Sequence, residues 1–227
     1  MYSVLFSEIK GAIDLISEEL KQKIKRDSKL VILPWAFPIE LTSEEFENSY
    51  FPIRGRRYNK YMESLKKIGI EEEQVTIANP YKHTKKELQE MISRSDILLL
   101  PGGNPEMFFS KILHDTEIIY DIKNYKGIII SESAGTELQL ERYLITSTNN
   151  YYQYTAFYDG FGVIKNDFYI DVHTLDTEEY QEELQNISNN VQKIIYAIYD
   201  NGVMIYDREE NSSQIYGKVK IINPIDR

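Results

Sequence analysis

The chain has 227 residues, of which 42% are hydrophobic, enough for a sizeable core in a single domain over residues 1–227. Its net charge of −10 argues against nucleic-acid binding, and no apolar run reaches the roughly 18 residues of a membrane span, so we expect a cytoplasmic protein without a membrane partner. The absence of cysteine excludes disulfides and thiolate chemistry, and three scattered histidines predict neither a metal site nor a cofactor.

Short apolar runs alternate with amphipathic segments along most of the chain. The predicted strands are Ser3–Phe6, Leu30–Leu33, Gln74–Ala78, Ile97–Leu100, Gly127–Ile130, Phe168–Val172, Ile194–Ile198, Val203–Tyr206 and Val219–Ile222. The predicted helices include Ile13–Ile24, Lys85–Ile92, Pro105–Leu113 and Glu178–Val191. This alternation predicts an α/β fold with three layers, in which helices cover both faces of a mostly parallel sheet, and the last strands predict antiparallel C-terminal hairpins.

A strand, turn and helix pattern around Ser133 is the first sign of chemistry. The apolar run Gly127–Ile130 continues to Ser133, Ala134 and Gly135, after which a helical pattern begins. A serine on such a sharp turn is lifted clear of its neighbours, and the first helical amides point toward whatever its hydroxyl attacks. Ser133 is therefore the candidate nucleophile, and the amide of Ala134 is a candidate oxyanion donor. A simple N-cap serine explains the same pattern.

A second loop follows the strand Ile97–Leu100. It reads Pro-Gly-Gly-Asn over residues 101–104, and paired glycines after a strand expose backbone amides. In an acyl-transfer site, the amide of Gly103 would complete an oxyanion hole with that of Ala134. An ordinary turn suits this composition equally well.

Only three histidines are available to a mechanism that needs an imidazole. His83 lies in a turn before a helix that Thr84 caps, and His114 ends a helix, so both have structural explanations. His173 follows the run Phe168–Val172, and catalytic groups in open α/β sheets gather at the carboxyl ends of strands. We therefore predict His173 as the general base.

These landmarks, in this order, resemble the peptidase E (aspartyl dipeptidase) family of serine peptidases. They are Gly-Gly-Asn at 102–104, Ser-Ala-Gly at 133–135, the strand ending at His173, and the segment Ile195–Asp200. The resemblance covers nearly the whole chain and implies the class I glutamine amidotransferase-like fold. It also implies a Ser-His-acid triad, carried over as Ser133, His173 and Asp200, where the family acid is usually glutamate. Glutaminase chemistry is excluded because cysteine is absent.

Asp200 has two interpretations. In the triad it would accept a hydrogen bond from His173 and fix the tautomer of the imidazole. The sequence Asp-Asn-Gly at 200–202 also predicts a hairpin between the runs Ile194–Tyr199 and Val203–Tyr206, in which the aspartate has a purely local role. If Asp200 faced solvent, it would have no catalytic role.

Three positions depart from the family pattern. Ser131 stands where the family turn usually has its first glycine, and Asn150 replaces an acidic residue. The arginine with which aspartyl dipeptidases hold an acidic side chain is absent from the segment after His173, which is acidic over Asp176–Glu183. Glu178 and its neighbours would repel an acidic side chain, so the preference for N-terminal aspartate is not transferred.

Three further stretches leave alternatives open. The basic cluster Arg54–Lys60 predicts an anion site or, in the interpretation that we favour, a solvated helix face. The tyrosine-rich segment Asn149–Tyr158 predicts the wall of a substrate cleft or, as we favour, a core or homodimer contact. The long aromatic and acidic segment Trp35–Tyr50 fits neither the strand pattern nor the helix pattern.

Together, these observations predict a serine peptidase-like hydrolase whose partner is a small peptide substrate or a peptide-like amide. Ser133 would attack, His173 would relay the proton, Asp200 would orient the imidazole, and the amides of Gly103 and Ala134 would hold the oxyanion. Two alternatives remain open. One is a cyanophycinase-like hydrolase of the same superfamily, and the other is a catalytically silent member that binds a small ligand.

Overall fold

The computed structural model describes residues 1–37, 41–51, 55–112, 116–147, 152, 154–165 and 167–225. Its strands are β1 (Tyr2–Phe6), β2 (Leu30–Ile32), β3 (Val75–Ile77), β4 (Ile97–Leu100), β5 (Ile128–Glu132), β6 (Arg142–Ile145), β7 (Ala156–Asp159), β8 (Phe168–Val172), β9 (Ile194–Asp207) and β10 (Ser212–Ile222). Its helices are α1 (Ile9–Ala12), α2 (Ser17–Lys23), α3 (Ser43–Tyr50), α4 (Arg56–Lys66), α5 (Lys85–Ser93), α6 (Pro105–Ile112), α7 (Thr116–Lys123), α8 (Ala134–Leu138) and α9 (Glu178–Val191). None of these helices is long and apolar enough to cross a lipid bilayer.

Eight of the described strands form one mixed sheet. Their order is β10-β9-β1-β5-β4-β2-β3, and β8 pairs in parallel with β9. The strands from β1 to β3 are parallel to one another, whereas β9 is antiparallel to both β1 and β10. The predicted mostly parallel sheet with antiparallel C-terminal strands is therefore confirmed.

Helices cover both faces of this sheet because a strand directs alternate side chains to opposite sides. In β4, Leu98 and Leu100 pack with α5, α6, α7 and α8, while Ile97 and Leu99 pack with α1, α2, α3 and α4. All four side chains are buried. Burial on both faces explains why β4 is apolar at every position, as buried parallel strands usually are.

The predicted hairpin at residues 200–202 is wrong. Ile194–Asp207 is one continuous strand whose two halves have different neighbours. Residues 194–198 pair with β8, and residues 203–207 pair with β1, so the strand passes from one neighbour to the other at Asp200. The hairpin to β10 lies further along, where Asn211 has a φ of 49°. Pairing along both edges of β9 outweighs the local turn preference of Asp-Asn-Gly.

Two other parts of the fold differ from the sequence pattern. The strands β6 and β7 form a separate antiparallel pair that was not predicted. Across this pair, the rings of Tyr143 and Tyr158 stack with their centroids 5.6 Å apart. The predicted helix Ile13–Ile24 is interrupted, since it consists of a 3-10 turn at Ile13–Leu15 followed by α2.

Candidate active site

The turn that carries Ser133 holds its backbone in a strained conformation. Ser133 lies between β5 and α8 with φ 49° and ψ −118°, outside the regions that residues with a side chain prefer. Such a conformation costs about 1–3 kcal/mol and persists only where the surroundings impose it. Here the Ser133 amide donates to the Phe6 carbonyl at 2.9 Å, and a Cβ on Gly135 would lie only 2.1 Å from the Leu100 carbonyl oxygen. The turn is thus held closely between β1 and β4.

Ser131 is fully buried beside this turn. Its hydroxyl donates to the Val4 carbonyl at 3.2 Å, lies 3.0 Å from Thr136 Oγ1, and accepts a hydrogen bond of 2.6 Å from Gln139 Nε2. Thr136 in turn donates to the Phe6 carbonyl at 2.8 Å. The serine that replaces a family glycine therefore takes part in an interior hydrogen-bond network that joins β1, β5 and α8.

His173 lies directly after β8, and its imidazole reaches the Ser133 hydroxyl. The His173 backbone has a φ of 55°, and its amide donates to Ser7 Oγ at 2.7 Å. His173 Nε2 lies 2.9 Å from Ser133 Oγ. The structure therefore brings two of the sequence-predicted residues within hydrogen-bond distance, although they are 40 positions apart in the chain.

Asp200 continues this hydrogen-bonded chain. Its Oδ1 lies 2.7 Å from His173 Nδ1, at the point where β9 passes from β8 to β1. The Asp200 side chain is 63% exposed, so the carboxylate faces solvent on one side and binds the imidazole on the other. Exposure to solvent does not prevent the contact between Asp200 and His173.

Ser7 belongs to the same network, and the sequence analysis missed it. Its hydroxyl donates to Asp200 Oδ1 at 2.8 Å, lies 3.3 Å from His173 Nδ1, and accepts the hydrogen bond from the His173 amide. Ser7 follows the buried strand β1. That position is the signal that could have identified it, because polar groups at the carboxyl ends of parallel strands converge on one edge of the sheet.

The glycine loop after β4 lies against the same turn. Gly103 has a φ of 148°, and a Cβ there would lie 1.3 Å from the Ala36 carbonyl oxygen, so only glycine fits. Gly102 lies next to Ser133, since a Cβ on Gly102 would be 3.1 Å from that of Ser133. No described residue accepts a hydrogen bond from the amide of Gly103 or of Ala134. Both amides are thus available as donors.

Ser133 and His173 open into a cavity of about 700 Å³, which we call the Ser133 cavity. A volume of this size is typical of pockets for small ligands. The charged residues that line it, besides the imidazole, are Glu8, Glu106, Glu132, Glu137, Arg57 and Lys60. Carboxyl groups therefore outnumber cationic groups in the described lining.

Lys60 is bound by two of these carboxylates. Its Nζ lies 2.8 Å from Glu132 Oε1 and 2.9 Å from Glu8 Oε1. Glu132 is only 3% exposed, and it also accepts hydrogen bonds from the Ile9 amide at 3.1 Å and the Tyr61 hydroxyl at 2.8 Å. These contacts fix the residue that immediately precedes Ser133 and leave no excess positive charge at Lys60.

Arg57 differs from Lys60 because no described carboxylate forms an ion pair with it. It donates a hydrogen bond of 3.3 Å to the Tyr50 hydroxyl. The solvated helix face that we favoured for this cluster is wrong for Arg57 and Lys60, which line the Ser133 cavity, although it holds for the exposed Arg56. Arg54 lies outside the described residues.

The tyrosine-rich segment forms part of the cavity wall. Tyr152, Tyr154 and Tyr158 line the Ser133 cavity, and Tyr154 is 66% exposed. The cleft-wall interpretation therefore applies to these three side chains. The core contact that we favoured applies in addition to Tyr152 and Tyr158, which pack against the buried core, and to Phe157, whose ring packs on Tyr169. Tyr151 lies outside the described residues.

The acidic segment after His173 lies away from the cavity. None of the residues 174–183 lines it. The prediction that Glu178 and its neighbours repel an acidic substrate side chain is therefore wrong, because these residues do not face the cavity. Glu178 begins α9, and Asp176 forms an ion pair with Lys218. The carboxylates that do line the cavity come from other segments. Asn150, the other departure from the family pattern, lies outside the described residues.

Of the two remaining histidines, the described one, His83, has no part in this site. His83 Nδ1 accepts a hydrogen bond of 3.0 Å from the Asn79 amide, and Thr84 forms the predicted cap of α5 with Glu87. His114 lies outside the described residues. Of the described histidines, only His173 contacts Ser133.

The sequence of the chain matches a known family over most of its length. The model of peptidase family S51 matches residues 54–215, which include Ser133, His173 and Asp200. The chain belongs to peptidase family S51. This membership confirms the resemblance to the peptidase E family and makes the protein a serine peptidase-type hydrolase.

Two solved structures share the fold of this S51 family member. A protein assigned to peptidase E from Listeria monocytogenes EGD-e has a TM-score of 0.59 and 16% identity, with 98% of each chain covered. A peptidase from an acI-B1 Actinobacterium has a TM-score of 0.64 and 15% identity, with 99% of this chain and 91% of that one covered. At these identities the likeness shows the fold alone. Comparison with curated proteins finds no match.

Two buried carboxyl groups of this S51 family member influence each other beside the cavity. Burial, reinforced by the negative charge of Asp171, raises the pKa of Glu137 to about 8. Burial also raises the pKa of Asp171 to about 6, although hydrogen bonds from Thr174, Tyr180 and Thr146 oppose that rise. Near neutral pH, Glu137 is therefore mainly protonated and Asp171 mainly ionised.

The raised pKa of Glu137 predicts a fall in stability with rising pH. Between its ordinary pKa of 4.5 and about 8, the folded protein holds a proton that the unfolded chain releases, so the free energy of unfolding decreases across that range. Each pH unit within this range lowers the free energy of unfolding by up to about 1.4 kcal/mol. Asp171 adds a loss of the same sign below about pH 6. Glu137→Gln should therefore flatten the decline between pH 6 and 8, measured by urea unfolding. If the free energy of unfolding fell with pH in the same way for the native protein and for Glu137→Gln, the raised pKa of Glu137 would be contradicted.

Proposed function

We propose that this protein cleaves a small peptide or a peptide-like amide as a serine peptidase. The observation that carries this proposal is the hydrogen-bonded chain from Ser133 Oγ through His173 to Asp200 at the edge of an open cavity. Family S51 membership supports the same reaction class. No cofactor or metal is needed for this chemistry, since the nucleophile and the base are both side chains of the protein.

The geometry supports a two-step acyl transfer. As Ser133 Oγ attacks the substrate carbonyl, His173 Nε2 takes the hydroxyl proton, and the resulting imidazolium is stabilised by Asp200 on Nδ1. The carbonyl oxygen becomes an oxyanion, for which the amides of Gly103 and Ala134 are the proposed donors. His173 then gives its proton to the leaving amine as the C–N bond breaks. Water, deprotonated by His173, then attacks the acyl carbon, and as the bond to Ser133 Oγ breaks, His173 returns the proton to that oxygen and the acid product is released.

The size and walls of the cavity favour a small substrate. A volume of about 700 Å³ accommodates a short peptide, and the tyrosine wall limits its extent on one side. We therefore favour dipeptidase-like cleavage over the degradation of a polymer such as cyanophycin. A catalytically silent binding protein, which Ser131 and the changed acidic positions suggested, is disfavoured because Ser131 points into the interior network rather than into the cavity.

Labelling with a serine-directed fluorophosphonate tests the proposal directly, because only an activated serine reacts rapidly. We expect fast covalent labelling of the native protein, mapped to Ser133 by peptide mass spectrometry. Ser133→Ala should abolish the labelling, and His173→Ala should slow it severely. Ser110→Ala, which removes an exposed serine of α6, is the matched control and should label at the native rate. A native protein labelled no faster than its heat-denatured form would rule out the proposed activity.

We also expect dipeptides with N-terminal aspartate to be poor substrates compared with those with a neutral or basic N-terminal residue. Carboxyl groups outnumber cations in the cavity lining, and Lys60 is already bound to Glu8 and Glu132. A substrate carboxylate that does not reach Arg57 would lose hydration without gaining a partner, which should lower kcat/KM by about 100-fold or more. A panel of aspartyl, leucyl and lysyl dipeptides, with Ser133→Ala as the blank, measures the preference.

The control for this panel is Arg57→Gln, because Arg57 is the lining cation without a carboxylate partner. If aspartyl dipeptides are cleaved best and Arg57→Gln removes that preference, Arg57 has taken the place of the missing family arginine. That result would contradict the expected specificity while leaving the proposed peptidase activity intact.

A further inference from the structure

Glu137 is a buried carboxyl group that faces the Ser133 cavity and has no role in the chemistry described above. It lies one turn into α8 from Ser133, and its amide donates to the Ser133 carbonyl at 3.1 Å. Its side chain lines the cavity, yet the residue is only 7% exposed. A carboxyl group in such a place is costly unless a partner satisfies it.

The neighbouring carboxyl group of Asp171 has hydrogen-bond donors for both of its oxygens. Asp171 Oδ1 accepts hydrogen bonds from the Tyr180 hydroxyl at 2.7 Å and from Thr146 Oγ1 at 3.4 Å, and Oδ2 accepts one of 2.6 Å from Thr174 Oγ1. Within the described residues, no group donates a hydrogen bond to the Glu137 side chain. Glu137 is therefore the carboxyl of the pair that lacks a partner of its own.

The other titratable groups around Glu137 do not supply that partner. Tyr143 of β6 and Tyr152 of the cavity wall interact with it electrostatically, Glu106 of α6 interacts with those two tyrosines, and Asp171 of β8 repels the ionised form of Glu137. All four groups are neutral or negative at neutral pH. A ligand that carries a positive charge and several N–H donors fits this environment.

We propose that Glu137 binds the α-ammonium group of the substrate and so makes the enzyme selective for peptides with a free N-terminus. This inference rests on the proposed peptidase function and names the part of the substrate that the cavity recognises. Glu137 would then be a specificity-determining residue that touches the substrate without reacting with it.

The place of Glu137 in the cavity suits this role. The α-amino nitrogen of a peptide lies two bonds, about 2.5 Å, from the first carbonyl carbon, which is the atom that Ser133 attacks. With a hydrogen bond of about 2.8 Å, the carboxyl that holds the amine must lie within a few ångströms of the reacting carbon. Glu137 lies four residues after Ser133 and lines the same cavity, so both side chains border the space that the substrate would occupy.

Binding an ammonium group would remove the proton from Glu137. The free carboxyl is protonated near neutral pH because burial raises its pKa to about 8. When an ammonium ion binds, the carboxylate form is favoured, since the opposite charge compensates for burial. The balance is one carboxylic acid plus one ammonium ion giving one ion pair plus one proton, which is released to the buffer.

Calorimetry on the Ser133→Ala protein tests this exchange without turnover. At pH 6.5, binding of leucyl-glycine measured in buffers of different ionisation enthalpy should release about one proton per peptide. The Ser133→Ala, Glu137→Gln double variant should bind more weakly, by about tenfold or more, without proton release. Nα-acetyl-leucyl-glycine should show the same weak binding in both proteins. Equal binding of the free and acetylated peptides, or binding without proton release, would overturn the proposal.

Turnover provides the second arm. We expect the native enzyme to prefer leucyl-glycine over its acetylated form by about 100-fold in kcat/KM, and Glu137→Gln should remove most of that preference. Glu106→Gln, which neutralises an exposed carboxyl of the same cavity, is the matched control and should retain it. Nα-acetyl-lysyl-glycine separates an α-ammonium from a side-chain ammonium. If it is cleaved as well as leucyl-glycine, the proposed α-amine recognition is wrong.

The outcomes distinguish this inference from the proposed function. Rapid fluorophosphonate labelling of Glu137→Gln at Ser133 would show that the triad region is intact in the variant. Labelling together with an unchanged preference would reject Glu137 as the amine site and keep the peptidase. A native protein that is not labelled would reject the peptidase, and proton release on peptide binding would then support Glu137 as the amine site of a binding protein.

Discussion

Ser133→Ala should lower kcat/KM for peptide hydrolysis by about 10⁴-fold or more, because it removes the hydroxyl that we propose as the nucleophile. His173→Ala should have an effect of similar size, since Ser133 Oγ has His173 Nε2 as its proton acceptor at 2.9 Å. In the proposed mechanism the two residues act as one unit. The double variant should therefore be little worse than either single variant.

The measurement is steady-state hydrolysis of the best dipeptide of the panel, with unfolding by heat recorded for each variant. Ser110→Ala should keep native kinetics and serves as the control for serine replacement. Losses that multiply in the double variant would show that Ser133 and His173 act independently. In that case, their contact in the structure would not be catalytic.

Asp200→Asn should lower kcat by about 100-fold while leaving Tm nearly unchanged. The amide carries no charge to stabilise the imidazolium, and it can stabilise the wrong tautomer of His173. The side chain is 63% exposed, so solvent screens part of the carboxylate charge, and we expect a smaller loss than for a fully buried acid. The same exposure explains why folding should be little affected.

Ser7→Ala is the matched comparison for Asp200→Asn. It removes the donor to Asp200 Oδ1 and the acceptor of the His173 amide, but it keeps the acid itself. We expect a loss of about tenfold in kcat, because a positioning hydrogen bond contributes about 1–1.5 kcal/mol. Turnover of Asp200→Asn equal to that of the native enzyme would show that Asp200 is only a strand residue.

Local patterns account for much of the fold. The strands β1, β4, β5 and β8 agree with their predicted bounds to within two residues, because buried strands are short runs of mainly apolar residues. The capped start of α5 was equally predictable, since Thr84 and Glu87 satisfy each other within one turn. Both signals are contained in a few consecutive residues, and they do not depend on the rest of the chain.

The wrongly predicted hairpin at residues 200–202, in contrast, depends on distant parts of the chain. Asp200, Asn201 and Gly202 have a strong local preference for a turn, yet β9 runs straight through them. The strand remains extended because β8, β10 and β1 supply hydrogen-bond partners along its length. Those partners come from distant parts of the chain, and no local pattern reveals them.

The sequence by itself determined the alternating strands and helices, the turn at Ser133 and the strand-end position of His173, because each depends on neighbouring residues alone. Only the tertiary structure decided that Ser7 joins His173 and Asp200, that Arg57 and Lys60 face the cavity, and that Glu137 is buried beside Ser133. The physical reason is that these contacts join residues far apart in the chain, or depend on which helix face meets the sheet. Burial and pairing are set by the packed arrangement of all the strands and helices, so they appear only once the chain is folded.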